Sequence, residues 1–339
     1  MANNSFVADS PIRGNIPTTP SWEELEAPVK TSDSHPNFLE GNSQTISFHD
    51  LRSKCIVPTW ANNQLTISHQ HFIHAVSAAA YTVFGKNMVK APEIRVSHAV
   101  HGRTPNALMK KPSELLDSEK TLYYQRMCFC IAVSIMDTIN GNETNIVVGG
   151  VRALNNENLG SRQTLSKVKV FCGEKVKVCS NLCVFGTNYI DKLEVASESE
   201  IYTAAVSLFS EYNQKTSKRQ LEMLGQTTMT TEDFTHIIGR MRLYEALSTV
   251  QRQKLGLPGL ILGDQTANSM VRNFVNSQNF GIGNGNEITL WAFYNLLTEA
   301  NKNAYIDRFL AKSVNATDYS FGIAEALQGK DTPYKWFIQ

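Results

Sequence analysis

Four lysines near the middle of the chain are the residues whose type and spacing most strongly suggest chemistry. Lys167 and Lys169 alternate with valines, and Lys175 and Lys177 repeat the pattern after Gly173. Ammonium groups at this spacing can neutralise phosphates, as lysines do along nucleic acid. Like charges crowded on one strand face cost free energy unless a negative partner lies near them. The pattern therefore predicts an interface for a polyanion, for an acidic protein surface or for the chain's own carboxylates.

The alternation with period two predicts a β-hairpin at this place. With Cys172-Gly173-Glu174 as a three-residue loop, Val170 faces Val176 and the valine and lysine faces stay consistent. A two-residue loop would mix the two faces. The hairpin with the odd loop places all four lysines on one surface.

Two further groups combine aromatic or imidazole rings with arginine. Tyr123 and Tyr124 precede Arg126, a combination in which rings stack on bases while the guanidinium holds a phosphate. His101 and Arg103 point the same way along a predicted strand and could contact a phosphate or a carboxylate. The plain alternative is that the tyrosines belong to the core and the histidine is a half-buried polar residue.

No motif for a metal, a cofactor or a known catalytic reaction stands out. Cys172, Cys179 and Cys183 lack the Cys-x-x-Cys pair of a zinc site, so we expect free thiols, although the sequence leaves metal binding by these cysteines undecided. No phosphate-binding glycine loop and no Gly-x-Ser-x-Gly elbow is present. The sequence favours a protein without catalytic activity and does not decide the matter. We expect no cofactor.

Charge is distributed unevenly over the 339 residues. Residues 51–180 carry 16 Lys and Arg against 8 Asp and Glu, whereas the whole chain has a net charge of only +1. Residues 1–44 are rich in Ser, Pro, Asn and Thr and include acidic side chains, which predicts a flexible acidic tail acting as a linker or as a mask for the basic region. The longest apolar run, residues 128–136, is too short to span a bilayer. We expect a cytoplasmic protein.

Hydrophobic periodicity changes from strand-like to helical along the chain. Ser68 is the predicted N-cap of a helix that stops at Gly85, and Asn140-Gly141 predicts a tight hairpin turn. Helical spacing dominates the second half, in the ranges 200–212, 231–247, 265–276 and 290–312. This order predicts an α+β fold, with antiparallel β-hairpins in the N-terminal half packed against a mainly helical C-terminal half. The predicted division is a tail (1–44), a β-rich basic region (45–190) and a helical region (191–339), with one compact domain over 45–339 as the alternative.

Three stretches resemble a known group of sequences: residues 67–106, which include Ser97-His98-Ala99-Val100-His101-Gly102-Arg103; residues 179–183; and the helix at 290–299. They resemble an uncharacterised bacterial family carried on integrated and conjugative elements, related to phage/plasmid-like proteins. The resemblance covers most of residues 45–339 and implies a mobile-element or prophage setting, with no established activity.

These observations lead to one main expectation about function and two alternatives. We expect a mobile-element accessory protein that binds nucleic acid, most concretely a single-stranded DNA binding or annealing factor. Its contacts would be Lys167, Lys169, Lys175, Lys177, Arg126, Tyr123, Tyr124, His101 and Arg103. The first alternative is a protein-interaction module that modulates a host or phage factor, with an acidic partner. The second is an enzyme of unrecognised type using His98, His101 and Arg103. The sequence leaves the oligomeric state undecided.

Overall fold

A large antiparallel sheet and a helical C-terminal half make up the architecture. The computed structural model describes residues 19–26, 36–57, 66–157, 165–261, 263–283 and 285–339. Strands dominate the first half of these residues and helices the second half, which confirms the predicted α+β class. None of the helices in the described ranges combines the length and hydrophobicity that crossing a membrane requires.

Most strands belong to one seven-stranded sheet with all neighbours antiparallel. Its order is β1-β2-β5-β6-β7-β8, and β9 also pairs with β7; β3 pairs with β4, and β10 with β11, in two separate two-stranded sheets. The strands are β1 (Gln44–Ile46), β2 (Val89–Val96), β3 (Ala99–Arg103), β4 (Lys120–Tyr124), β5 (Arg126–Ile139), β6 (Asn142–Ala153), β7 (Ser166–Val176), β8 (Leu182–Cys183), β9 (Tyr189–Val195), β10 (Thr228–Thr230) and β11 (Glu287–Thr289).

The helices cover both faces of the sheet and form a cluster of their own. They are α1 (Trp22–Glu26), α2 (Phe48–Lys54), α3 (His69–Phe84), α4 (Glu198–Glu211), α5 (Gln214–Leu224), α6 (Thr231–Ala246), α7 (Thr249–Lys254), α8 (Asp264–Asn276), α9 (Leu290–Asn301) and α10 (Ile306–Leu327). Strands β10 and β11 each run directly into a helix, α6 and α9, capped by Thr230 and Thr289.

Helix α3 crosses one face of the sheet and begins and ends where the sequence predicts. The Ser68 hydroxyl accepts from the His71 backbone N–H, and Gly85 (φ 85°) ends the helix. Close packing on the sheet requires a glycine, because a Cβ at Gly150 would lie 2.4 Å from Phe72 Cζ. The ring of Phe72 then meets that of Phe129 edge to face, with centroids 5.1 Å apart.

The hairpin of β5 and β6 is also as predicted. Asn140 (φ 48°) and Gly141 (φ 80°) form its two-residue turn, the left-handed pair that suits the twist of the flanking strands. The Asn140 side-chain amide donates to the Leu221 carbonyl of α5 at 2.9 Å, so the turn is attached to the helical half.

The predicted lysine hairpin is wrong, because β7 is one continuous strand. Cys172, Gly173 and Glu174 do not turn: they pair in register with Val148, Val147 and Ile146 of β6. Gly173 serves close packing instead, since a Cβ there would lie 2.3 Å from the Cys183 carbonyl oxygen of β8. Strand parity still places Lys167, Lys169 and Lys175 on the same face of β7, while Lys177 lies just beyond its end.

Three buried hydrophobic clusters hold the elements together. One lies between the sheet and α3 and α4, and one lies on the opposite face beneath the N-terminal half of α10. The third joins the C-terminal helices and includes four residues from the strand half, Ile139, Val176, Cys179 and Cys183. The predicted boundary between residues 190 and 191 therefore crosses a shared core, and the division of the chain into regions stays a prediction.

The two described pieces of the predicted flexible tail are packed onto the body. Leu25 of α1 is 3% exposed, and Phe38 and Leu39 are 1% and 0% exposed. The Glu40 and Gly41 N–H groups both donate to the Lys302 carbonyl at 2.8 Å. Residues 1–44 are mostly polar, but these few apolar side chains are buried and attach the segment to the body. Residues 1–18 and 27–35 lie outside the described residues.

A two-stranded projection leaves the sheet between β2 and β5. It consists of β3, β4 and a connection with three short 3₁₀ turns, and we call residues 99–124 the arm. Its base is attached to the segment that follows α2, where the Ile56 N–H donates to the Leu122 carbonyl at 2.8 Å.

Candidate functional site

Each of the four lysines predicted to form an interface faces a carboxylate of the same chain. The pairs, with their N···O distances, are Lys167–Glu194 (3.0 Å), Lys169–Asp191 (2.6 Å), Lys175–Glu93 (2.8 Å) and Lys177–Glu143 (3.0 Å). Three of the partners lie on neighbouring strands, and Glu93 comes from β2 on the same sheet. Of the three partner classes left open by the sequence, the chain's own carboxylates are the ones found opposite these lysines.

The four ion pairs differ in how much of their side chains is exposed. The Lys175 side chain is 10% exposed and its partner Glu93 is 30% exposed, whereas Lys167 and Glu194 are 45% and 52% exposed. A polyanion at any of the four ammonium groups would compete with a carboxylate that is already in contact with it. The lysine row is therefore mainly part of the sheet's internal electrostatics.

An open cleft lies where β1, the end of β2, the start of β5 and the start of α10 meet. It has a volume of about 530 Å³ and combines hydroxyl, amide, imidazole and guanidinium groups. Its lining residues are Asn42, Ser43, Gln44, Ser97, His98, Arg126, Tyr305 and Ile306. The cleft thus gathers side chains from four separate segments of the sequence.

Ser97 positions the two ionisable groups on the strand side of the cleft. Its N–H donates to the Arg126 carbonyl at 2.9 Å, and its hydroxyl accepts from the Arg126 N–H at 3.1 Å. These bonds fix the start of β5 beside the end of β2. Ser97 itself is 3% exposed, while the next residue, His98, is exposed to solvent.

Arg126 is only loosely matched by a carboxylate. Its Nε lies 3.3 Å from Asp307 Oδ1, yet neither atom makes a hydrogen bond with the described residues. The guanidinium also lies over the ring of Tyr305, 5.9 Å from the centroid, and Tyr305 is 56% exposed. An arginine with spare donors beside an exposed aromatic ring can bind a phosphate and a planar ring together.

Arg95 adds a positive charge next to the cleft that no carboxylate contacts directly, although Glu40 is near enough to raise its pKa against the effect of burial. Its guanidinium, in a residue 7% exposed, donates to the Ser43 hydroxyl, the Ser43 carbonyl and the Thr45 hydroxyl at 2.5–3.1 Å. Within the described residues no carboxylate lies at ion-pair distance from it. Burial lowers its pKa from the usual value, which records the cost of holding this charge away from water. Ser43 contacts Arg95 and also lines the cleft, so an anion bound there would lower that cost.

The remaining predicted contact residues lie on or beside the arm and differ in exposure. Tyr124 is 6% exposed, so its ring is unavailable for stacking on a base; its carbonyl instead contacts His69 Nε2 at 2.9 Å. Tyr123 is partly buried, and Arg103 donates to the Lys110 carbonyl. His101 is exposed on β3. Of the predicted set, only Arg126 lies in the cleft, and the roles of His101, Arg103 and Tyr123 stay predictions.

The cysteines and the histidine-rich start of α3 are buried in the protein, which indicates a structural role. All six cysteines are free and buried, and burial raises the pKa of Cys55 and of Cys179 to about 11. Burial lowers the pKa of His69 to about 3. In the part of the chain that the structure describes, no group of three His, Cys, Asp or Glu side chains is arranged to hold a metal ion.

Comparison with known proteins identifies a family and nothing more. A family model described as "Domain of unknown function, B. Theta Gene description (DUF3871)" matches residues 23–338. The chain belongs to the DUF3871 family. No curated protein and no solved structure matches it. Membership supports the predicted uncharacterised domain, and the match includes the cleft and the arm of this DUF3871 chain.

Sequence reasoning missed most of the cleft of this DUF3871 domain. Asn42, Ser43 and Gln44 fall in the predicted flexible tail, and Tyr305 falls inside a predicted continuous helix. Arg95 had one available signal, because it is a charged residue between Ile94 and Val96 of β2, although Glu93 lies two residues away on the same strand face. No pattern along the chain connects these residues, since three separate segments bring them together.

Proposed function

We propose that this protein binds nucleic acid, specifically single-stranded DNA, and that it does so through the cleft as an accessory protein of a mobile element. The observation that carries the proposal is the pair of arginines at the cleft. Arg95 has no carboxylate partner in the described residues, and Arg126 has only the loose contact with Asp307. Cations whose charge the protein balances only weakly favour an anion from outside.

The chemistry of the lining favours a phosphodiester over a simple anion. Arg126 can hold a phosphate oxygen while the neighbouring Gln44 side-chain amide donates a hydrogen bond to it. Tyr305 offers an exposed ring about one nucleotide away from the guanidinium, given their 5.9 Å separation. Ring faces stack on any base that is not already paired, which favours a single strand over a duplex.

The main contacts with DNA would lie in the cleft and not along the lysine row. Binding at Lys167, Lys169, Lys175 or Lys177 would exchange one ion pair for another, with little gain in free energy. Binding at Arg126 adds an ion pair where the existing one lacks a hydrogen bond. A role in annealing would require two strands to meet at the protein, and the cleft would bind one of them.

Fluorescence anisotropy of a labelled poly-thymidine oligonucleotide tests the proposal. The protein should bind at low salt and lose affinity steeply as salt rises. Arg126→Gln should weaken binding about tenfold and lower the salt slope by about one. Tyr305→Ala should weaken single-strand binding by about 1–3 kcal/mol and affect duplex binding less.

Lys167→Gln is the matched control, because it removes an exposed cation that already has a carboxylate partner. It should change affinity less than about twofold, in line with the small contribution of exposed ion pairs. Absence of binding at low salt would refute the proposal. A loss of affinity with Lys167→Gln, with none for Arg126→Gln, would return the interface to the lysine row.

A further inference from the structure

Two cations lie on the solvent face of α10 in the direction that leads away from the cleft. Tyr305, the N-cap residue, lines the cleft, and Arg308 and Lys312 follow it at spacings of three and four residues. Residues at these spacings lie one above the other on one face of a helix. We call Arg308 and Lys312 the basic stripe. The opposite face of α10 packs on the sheet through buried residues, which include Ile306, Phe309 and Leu310.

The two cations of the basic stripe have no partner in the part of the chain that the structure describes. Neither side chain makes an ion pair or a hydrogen bond there. Arg308 is exposed, whereas Lys312 is half-buried. Burial and then the nearby charge of Arg308 lower the pKa of Lys312, and Glu245 opposes them. An anion placed between the two cations would stabilise both charges.

The carboxylates near the basic stripe do not cancel its charge. Asp307 is in contact with Arg126, 3.3 Å from its Nε. Glu245 of α6 is close enough to act on the pKa of Lys312, although no ion pair joins these two described residues. Two carboxylates therefore lie beside three cations, namely Arg126, Arg308 and Lys312. The surface from the cleft along α10 keeps a positive charge.

This positive surface has a defined end and a length of a few nucleotides. The Asn315 side chain is occupied by the loop before α8, since it accepts from the Ile261 N–H at 3.0 Å and donates to the Gly259 carbonyl at 2.8 Å. From Tyr305 to Lys312 the helix rises about 10 Å. With the 5.9 Å between the Arg126 guanidinium and the Tyr305 ring, the surface extends about 16 Å, or about five nucleotides at 3.4 Å each.

We infer that a strand bound in the cleft continues along α10, with its phosphates in contact with Arg308 and Lys312. This inference rests on the proposed binding of single-stranded DNA in the cleft. A polyanion with regularly spaced charges can contact the cleft and the basic stripe together, whereas a small anion can occupy only one of them. The inference therefore gives the binding surface a direction and a length.

The experiment uses the full chain and measures how affinity depends on the length of the strand. Unlabelled oligothymidylates of about two to about twelve nucleotides compete with the labelled probe, a range that includes the expected site. Wild-type affinity should rise steeply up to about five nucleotides and only slowly beyond. Arg308→Gln combined with Lys312→Gln should bind the shortest competitor within about twofold of wild type. It should bind the longest about tenfold more weakly, with a salt slope lower by about two.

Lys215→Gln combined with Arg219→Gln is the matched control. Both residues are exposed on α5 at a spacing of four, and neither has an ion-pair partner among the described residues. This variant should behave as wild type at every length. An equal loss of affinity in the two double variants would show a general effect of net charge and overturn the inference.

The same measurements separate the inference from the proposed function. If the α10 double variant behaves as wild type at every length, while Arg126→Gln weakens binding, the inference is overturned and the proposed function stands. If the wild-type protein binds no oligonucleotide at low salt, both are refuted.

An acidic protein segment is the other polyanion that could contact the basic stripe. Poly-glutamate, matched in charge to the longest oligothymidylate, is the probe for it. If poly-glutamate competes as well as the oligonucleotide, and the α10 double variant abolishes that competition, the stripe belongs to an acidic protein partner and the inference is overturned. Weak competition by poly-glutamate would support a nucleic acid.

Discussion

Strand β7 and the cleft beside Arg126 both carry clustered cations, and they differ in what those cations face. Along β7 each lysine has a carboxylate within 3.0 Å, supplied mostly by adjacent strands. At the cleft Arg95 bonds only neutral oxygens, and Arg126 and Asp307 approach to 3.3 Å without a hydrogen bond. The region with the more conspicuous sequence pattern is the one whose charges are already balanced.

If the cleft binds DNA as proposed, unmatched charge, more than the density of charge along the chain, distinguishes the binding surface from the structural one. A row of lysines on a sheet can be stabilised by an opposite row on the neighbouring strands, as cross-strand ion pairs are. A buried arginine that only neutral oxygens contact is compensated less well, and an external anion would stabilise it. Three changes on β7 test whether that strand is structural, from the largest expected effect to the smallest.

The largest effect is expected from the buried carboxyl of Glu174. Glu174 is 1% exposed, its Oε1 accepts from the Tyr212 hydroxyl at 2.7 Å, and burial raises its pKa from 4.5 to about 7. The folded state therefore binds this proton more tightly than the unfolded state does. The stability that the bound proton contributes is complete below about pH 4.5 and is lost as the pH rises through 7, by about 3 kcal/mol.

Glu174→Gln should remove this contribution to the pH dependence. The free energy of unfolding of the variant minus that of wild type, from urea titrations, should rise by about 3 kcal/mol between pH 4.5 and pH 8. Taking the difference cancels the carboxylates common to both proteins. A difference that stays flat over this range would show that Glu174 is not buried as an uncharged acid, and would weaken the description of β7 as an internal strand.

The second effect concerns Gly173, the residue at which the sequence predicted a turn. Because a Cβ would lie 2.3 Å from the Cys183 carbonyl oxygen, Gly173→Ala should destabilise the protein by about 2–3 kcal/mol. Gly239→Ala in α6 is the control, since nothing lies within 4 Å of its Cβ position, and it should be neutral or stabilise by up to about 1 kcal/mol. Equal stability of the two variants would favour the predicted hairpin over the continuous strand.

The smallest effect separates the lysines themselves. Lys175→Met leaves the half-buried Glu93 without its partner and should cost about 1–3 kcal/mol of unfolding free energy. Lys167→Met breaks an exposed pair and should change stability by less than about 0.5 kcal/mol. Thermal or urea unfolding of both variants gives the comparison. A large loss of stability in Lys167→Met, or none in Lys175→Met, would show that burial does not determine how much each ion pair contributes to stability.

Local sequence signals were sufficient to predict the elements whose ends are marked by capping or turn residues. Ser68 and Gly85 mark the ends of α3, and Asn140-Gly141 specifies the β5–β6 turn, because capping and left-handed turn geometry depend on few neighbouring residues. The predicted helix over 290–312 is in fact α9 and α10, separated by a turn without glycine or proline. That turn depends on tertiary contacts, such as the bond from buried Lys302 to the Cys179 carbonyl, which sequence spacing does not show.

The wrong prediction of a lysine hairpin and the failure to predict the cleft have a related reason. Period-two alternation is the same in a hairpin and in a continuous strand, and only the neighbouring strands β6 and β8 decide between them. Ser43, Ser97, Arg126 and Tyr305 approach one another only after β1, β2, β5 and α10 have packed. Charge pairing is likewise a property of the folded sheet, so a count of lysines could not show that they were matched.

The contact of Glu40 and Gly41 with the Lys302 carbonyl also sets a condition on when the protein can finish folding. During synthesis the segment around residue 40 leaves the ribosome long before residue 302 does, so this side of the sheet lacks its cover until nearly the whole chain has been made. Contacts between such distant segments slow folding, because a long loop must close before they form. Shortened expression products that end before α10 should therefore accumulate as aggregating intermediates, and the contact between residues 40 and 302 should be among the last to form.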